Sequence, residues 1–192
     1  VLKALKHSLN AFQLVSESPP TFSWHFKSAG CKASSGVKTF WLHVRSRPIS
    51  SEPDRIWKGP VDGASIKGVR KPELHETHEW QDSSLIWRGE KYELINEKVC
   101  SSTPELRELL NVHESFFQIL KSSLDPLGSY PTERVSARQE QISRRISERF
   151  KVAIPTAVQH WMTVHGDIHW ANLTYPSCYI LDWEGWGLGP RG

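Results

Sequence analysis

Leu2, Leu5, Leu9 and Phe12 recur at steps of three and four, so the chain opens with an amphipathic helix. After Pro19 and Pro20 the period changes to two. The runs TFSWHFK (21–27) and KTFWLHVRS (38–46) alternate and read as strands, joined by the small-residue loop SAGCKASSG. In the second run Phe40, Leu42 and Val44 face one way, and Trp41, His43 and Arg45 the other. RPISSEPDRIWKGPVDG reads as a loop with a short helix near DGASI, and strand signals return in ELHETHEW (73–80) and YELINEKV (92–99). Beyond Val99 the period turns helical. Thr103 and Pro104 supply a cap and first turn, and Leu106, Leu109, Leu110, Phe116, Phe117 and Leu120 a buried face. A second helix is expected over 133–150, where Ile142, Ile146 and Phe150 step by four.

Strands come first and helices second, which is the order of an α+β architecture. The junction near 99–103 divides an N-terminal lobe, 1–99, from a C-terminal lobe, 100–192. A chain of 192 residues can bury a real core. Its 38% hydrophobic and 23% charged composition is too apolar for a disordered chain.

The net charge of +3 comes from 24 basic and 21 acidic residues without a long run of either. A solvated surface explains that better than nucleic-acid binding, and it leaves room for a mildly positive cleft that takes phosphates. Cys31, Cys100 and Cys178 form neither an even set nor a C-x-x-C pair, which fits a reducing compartment and a cytoplasmic protein. No apolar run is long enough to cross a bilayer, and no secretory h-region stands at the N-terminus. A transit peptide is the rival reading of the first helix, weakened by Lys without Arg.

Chemistry concentrates in VHGDIHWANL (164–173), where His165, Asp167, His169 and Asn172 sit among apolar neighbours. Such a cluster fits a metal site, a general base or a polar turn. Downstream, NLTY and CYIL flank Pro176 and Ser177 and read as a hairpin. Centred on Ser177, it pairs Leu173 with Leu181 and Asn172 with Asp182, whose Cβ atoms would then lie about 5 Å apart. An amide oxygen and a carboxylate are hard donors suited to Mg²⁺, which takes oxygen ligands at about 2.1 Å and keeps waters or substrate phosphates. Asp167, across a tight loop opened by Gly166, stands where a general base would. A transition-metal site using His165 and His169 is a minor alternative, because no further His or Cys pair follows at ligand spacing.

HGDIHWAN followed by LDWEG resembles the catalytic loop and metal-binding Asp of the protein-kinase-like fold, and more closely the aminoglycoside phosphotransferase and choline kinase branch. The resemblance is firm over 164–190 and loose over 20–163. It implies a two-lobed fold with a β-rich nucleotide-binding lobe, and ATP- and Mg²⁺-dependent phosphate transfer to a hydroxyl of a small molecule. By it, Asp167 is the catalytic base, Asn172 and Asp182 hold Mg²⁺, and His165 ties the loop down. Backbone groups from Glu97 to Val99 would meet adenine, and the loop between the first two strands would cover the phosphates. His43 stands where the family has its ATP-anchoring Lys, with Arg45 next on the same face and Asp62 the candidate acidic partner. That departure, and an end at Gly192 where family members continue into acceptor-binding helices, leave a second reading open: a degenerate kinase-like protein that binds nucleotide or a partner. The missing initial Met adds to the expectation of a fragment with little turnover of its own.

Overall fold

The computed structural model describes residues 1–23, 26–106, 112–151 and 154–191. The chain divides into two compact units, Val1–Trp57 with Pro72–Asn96, and Lys58–Lys71 with Glu97–Gly192. Residues 58–71, expected in the N-terminal lobe, therefore group with the C-terminal residues.

The first unit starts with α1 (Leu2–Ala11), then β1 (Val15–Ser16), β2 (Thr21–Phe22), β3 (Ser28–Ser35) and β4 (Lys38–Pro48). α2 (Arg55–Gly63) starts here, its first turn capped by Asp54 Oδ1, which accepts from Trp57 N at 2.8 Å. β5 (Leu74–Asp82) and β6 (Leu85–Glu93) complete an antiparallel sheet of order β1-β3-β4-β6-β5, with β2 also paired to β3. One sheet face is apolar. Ala29, Cys31, Ala33, Leu42, Val44 and Trp87 pack against Ala4, Leu5, Phe12 and Leu14 from the α1 side. Wholly buried Leu42 and Val44 contribute roughly 1.5–3 kcal/mol each. The other face carries charge, because the β4–β6 register sets His43 opposite Glu90 and Arg45 opposite Arg88.

Two expectations about these strands fail, each for its own reason. SAGCKASS, read as a loop, is strand β3. Its small side chains, poor strand formers in isolation, let α1 lie close to the sheet, and packing overrides propensity. The strand expected at 92–99 is mainly β6 at 85–93, whose inner face bears Arg88 and Glu90 and so shows no apolar alternation. Of 21–27, only Thr21–Phe22 is strand, and residues 24 and 25 lie outside the described residues.

The second unit contains the rest of α2, β7 (Lys98–Val99), α3 (Glu114–Gly128), α4 (Gln139–Phe150), β8 (Trp161–Val164), β9 (Thr174–Tyr175) and β10 (Gly187–Pro190). β7 pairs with β9, and β8 with β10, both antiparallel. Its core joins Ile66, Cys100, Phe116, Leu127, Leu173, Ile180, Trp183 and Trp186. The helix expected from Thr103 starts at Glu114; 103–106 are non-helical, and the expected Leu109 and Leu110 lie outside the described residues. Phe116 is buried, but Phe117 faces solvent. Residues 133–138 are not helical: Ser136 N and Ala137 N both donate to Leu188 O, at 2.8 and 3.1 Å. The short helix expected near DGASI is instead the end of α2.

Candidate active site

In the second unit, β8 runs through Val164 into the 165–169 loop. Gly166 has φ +85°, and a Cβ there would sit 2.7 Å from the backbone oxygen of Gly185 and 2.3 Å from Ser136 Oγ. Only glycine meets both demands. His165 is 1% exposed, its ring edge-on to Trp183 at 4.8 Å between centroids. Neither ring nitrogen reaches hydrogen-bond geometry with a described group. Burial pushes its pKa from 6.5 down to about 4, against weaker opposing pulls from the Leu181 backbone and the Asp167 charge. His165 is a neutral structural wedge under the loop.

Beyond the wedge the polar groups converge. Asn172 Nδ2 donates to the Asp167 carbonyl at 3.0 Å and lies 3.5 Å from Asp167 Oδ2. His169 Nε2 stands 3.2 Å from the same Asn172 nitrogen and 3.6 Å from Asp167 Oδ2. The Asn172 amide nitrogen is thus committed to the loop, which leaves Oδ1 as its outward oxygen. The Asp167 carboxylate remains solvent-exposed.

The hairpin after this loop forms in a different register from the one expected. Leu173 bridges Ile180, and Thr174 N donates to Tyr179 O at 3.1 Å. The turn is Tyr175–Cys178, centred before Ser177, because it closes over four residues between Thr174 and Tyr179. Asn172 O accepts from Leu181 N at 2.8 Å, so Leu181 takes the place expected for Asp182 and the Asn172–Asp182 pair is not a ladder pair. Asp182 then leaves the ladder with φ 61°, in the left-handed region, and is exposed. Trp183 Nε1 donates to Ile180 O at 2.8 Å.

Arg134, absent from the expected set, clamps the backbone from Glu184 to Trp186. Its Nε donates to Trp186 O and its second amino group to Glu184 O, both at 2.7 Å. Its first amino group pairs with Asp62 at 3.2 Å. Asp62 is therefore a partner of Arg134. Glu97 is also occupied: its carboxylate accepts from Thr174 Oγ1 at 2.7 Å and Ser177 N at 3.2 Å. Burial would raise its pKa, but the Ser177 and Thr174 hydrogen bonds outweigh that and hold it low. Val99 lies in β7, tied to β9 through Thr174. A cysteine nucleophile has no support, since burial first and Cys100 second push the Cys178 thiol up to about 11.

In the first unit, His43 and Arg45 both turn to Glu90, which is fully buried. His43 Nδ1 lies 3.2 Å from Glu90 Oε2, Arg45 Nε 3.2 Å from Oε1, and Arg88 donates from Nε at 2.8 Å and from a terminal nitrogen at 2.6 Å. Tyr92 donates its hydroxyl at 3.0 Å. Burial alone would raise the Glu90 pKa; Arg45, His43 and Arg88 reverse that and hold it at about 2. The acidic partner sought for the β4 cation is this sheet residue.

No family model matches the chain, and no curated protein does. Solved structures do. A spectinomycin phosphotransferase in complex with ADP and spectinomycin aligns over 92% of this chain and 65% of its own, at TM-score 0.51 and 14% identity. A microcompartment-associated aminopropanol kinase aligns over 99% of this chain and 71% of its own, at TM-score 0.59 and 11% identity. The chain has the fold of the small-molecule phosphotransferases. It spans about two thirds of the length of each of these phosphotransferases. Among the described residues, no three His, Cys, Asp or Glu side chains gather as a metal cluster, and no helix is long and apolar enough to cross a membrane.

Proposed function

We propose that the chain carries the catalytic elements of an ATP- and Mg²⁺-dependent phosphotransferase, which moves the γ-phosphate to a hydroxyl of a small molecule of the aminoglycoside or choline type. The observation that carries this reading is the Asp167–Asn172 loop, tied by the Asn172 amide at 3.0 Å, in a chain of this fold. Asp167, exposed and held by its neighbours, orients the acceptor hydroxyl and receives its proton. Asn172 Oδ1 and the exposed Asp182 carboxylate are two hard oxygen donors, a set that fits Mg²⁺ and leaves its other positions to water and phosphate. Mg²⁺ bound there would neutralise phosphate charge. The neighbour that holds ADP supports a nucleotide as phosphate donor. Backbone groups of Glu97 to Val99 are the adenine-facing part of this proposal, His43 its phosphate-facing part, and the cytoplasm its setting. Arg45, bound to Glu90 and 8% exposed, is withdrawn from that role.

ATP turnover with amino alcohols and aminoglycosides, wild type against Asp167→Ala, tests the assignment. Loss of turnover by a factor of ~10² or more is expected; equal rates would remove the base. A second reading, nucleotide binding without turnover, is favoured by one observation: both β4 bases are bound to Glu90. Calorimetry with Mg-ATP separates the two, since binding unaffected by Asp182→Ala and no turnover would favour the non-catalytic protein.

A further inference from the structure

His7 on α1 and His78 on β5 meet although 71 positions separate them. One glycine makes the meeting possible. The β5–β6 register sets His78 opposite Gly89, where a Cβ would sit 2.4 Å from Ser8 Oγ and 3.1 Å from the Phe12 ring. Without that Cβ, α1 settles on the sheet with Ser8 and Phe12 inward, and His7, beside Ser8, reaches the edge strand β5. Both imidazoles stack on the Trp80 indole, at 4.3 and 5.5 Å between centroids, and Trp80 stacks in turn on buried Trp87 at 6.3 Å. The imidazoles are themselves nearly parallel, 18° apart, with centroids at 5.4 Å. Held this way, their Nε2 atoms face each other at 3.3 Å. His7 is exposed and His78 half-buried, so the pair is open to solvent.

A hydrogen bond between two neutral rings is the metal-free use of that geometry. The distance also fits a chelate. Two nitrogens bound to one tetrahedral ion at about 2.0–2.1 Å stand about 3.3–3.4 Å apart, which is the spacing already present. Each metal–nitrogen bond then leaves the N–N line by about 35°, a tilt the rings can make about the soft χ2 torsion. Neighbouring acids do not enlarge the site. Glu76, next on the same face of β5, is paired with Lys91, and among the described residues no third His, Cys, Asp or Glu joins the two rings. The protein supplies two nitrogens, and water the remaining positions. Imidazole without carboxylate selects ions such as Zn²⁺, Ni²⁺ and Cu²⁺ over Mg²⁺ or Ca²⁺.

We propose that His7 and His78 chelate one divalent ion of this class, which clips α1 to the edge strand of the sheet. Both rings bind through Nε2 as neutral imidazoles, so the proton that one Nε2 carried passes through solvent to that ring's Nδ1. Folding brings the two ligands together, and the bound ion therefore stabilises the folded first unit by mass action.

The test is calorimetry of the whole chain with ZnCl₂ at pH 7.5, in excess MgCl₂ to occupy oxygen-donor sites. One equivalent should bind. His7→Ala and His78→Ala should each weaken it about 10²-fold, because the second ligand on one body acts at high effective concentration. His75→Ala, on the same strand with its ring edge-on to Phe40, should leave binding unchanged. Electron paramagnetic resonance of the Cu²⁺-loaded wild type needs no variant, and two equivalent imidazole nitrogens are expected. One nitrogen or none, no saturable Zn²⁺ binding, or binding undiminished in both alanine variants would overturn the proposal and leave the pair as a hydrogen bond alone. Neither readout involves ATP, so the phosphotransferase reading stands or falls separately.

Discussion

His165 supplies a test that isolates one buried group. Its folded pKa lies near 4 against 6.5 unfolded, so between those values the unfolded chain binds a proton that the folded chain refuses. Stability is fully present above pH 6.5 and falls as the pH drops toward 4. A displacement of about 2.5 units corresponds to about 3 kcal/mol lost across the window, a large part of the 5–15 kcal/mol typical of a domain. Replacing the ring by a leucine, H165L, removes the titration and two nitrogens that lack partners among the described residues. At pH 7.5 the variant should unfold within about 1 kcal/mol of wild type, since the lost edge-on contact with Trp183 opposes the gain from deleting buried polar atoms. By pH 4 it should be the more stable by about 3 kcal/mol relative to that baseline. Urea unfolding at half-unit pH steps measures the difference, in which the other histidines cancel. A difference constant to within about 0.5 kcal/mol from pH 7.5 to 4 would refute a neutral, desolvated His165.

Glu90 has the same sign in a lower window: its depressed pKa of about 2 means stability present above pH 4.5 and lost as the pH falls toward 2, about 3 kcal/mol in all, and Glu90→Gln should flatten that loss in acid denaturation. Gly166→Ala meets a left-handed φ and the Gly185 backbone at once, and should cost at least ~2 kcal/mol in urea unfolding; Ser136→Gly should recover only the part due to the hydroxyl. Ser8 is fully buried in α1 and its hydroxyl has no described partner, so Ser8→Ala should raise stability by about 1 kcal/mol, read as a higher melting temperature.

How much of this was legible depended on the range of the interactions involved. The opening helix is where Leu2, Leu5, Leu9 and Phe12 put it, although Ala4, Leu5, Ser8 and Phe12 form the buried face while Leu2 is exposed. HGDIHWAN was readable because Asp167, His169 and Asn172 are local partners, five residues or fewer apart. The hairpin register was misread by one position, because a four-residue and a three-residue turn look alike in PSC and only the Thr174–Tyr179 bond decides between them. Glu90 was invisible: two of its partners, His43 and Arg45, come from β4, a strand away, and WRGEKYE lacks the apolar alternation that betrays a strand. Arg134 gave no signal either, since Asp62, Glu184 and Trp186 meet it only after folding.

The carboxylate shared by His43, Arg45 and Arg88 also constrains how descendants of this sequence can drift. Losing the acid takes a shared partner from two buried arginines and from His43, and losing one arginine alters the pull on the others, so substitutions at positions 43, 45, 88 and 90 should be strongly non-additive. In diverged copies these four positions should be inherited or exchanged as a block, with an all-neutral quartet more common than any half-changed one.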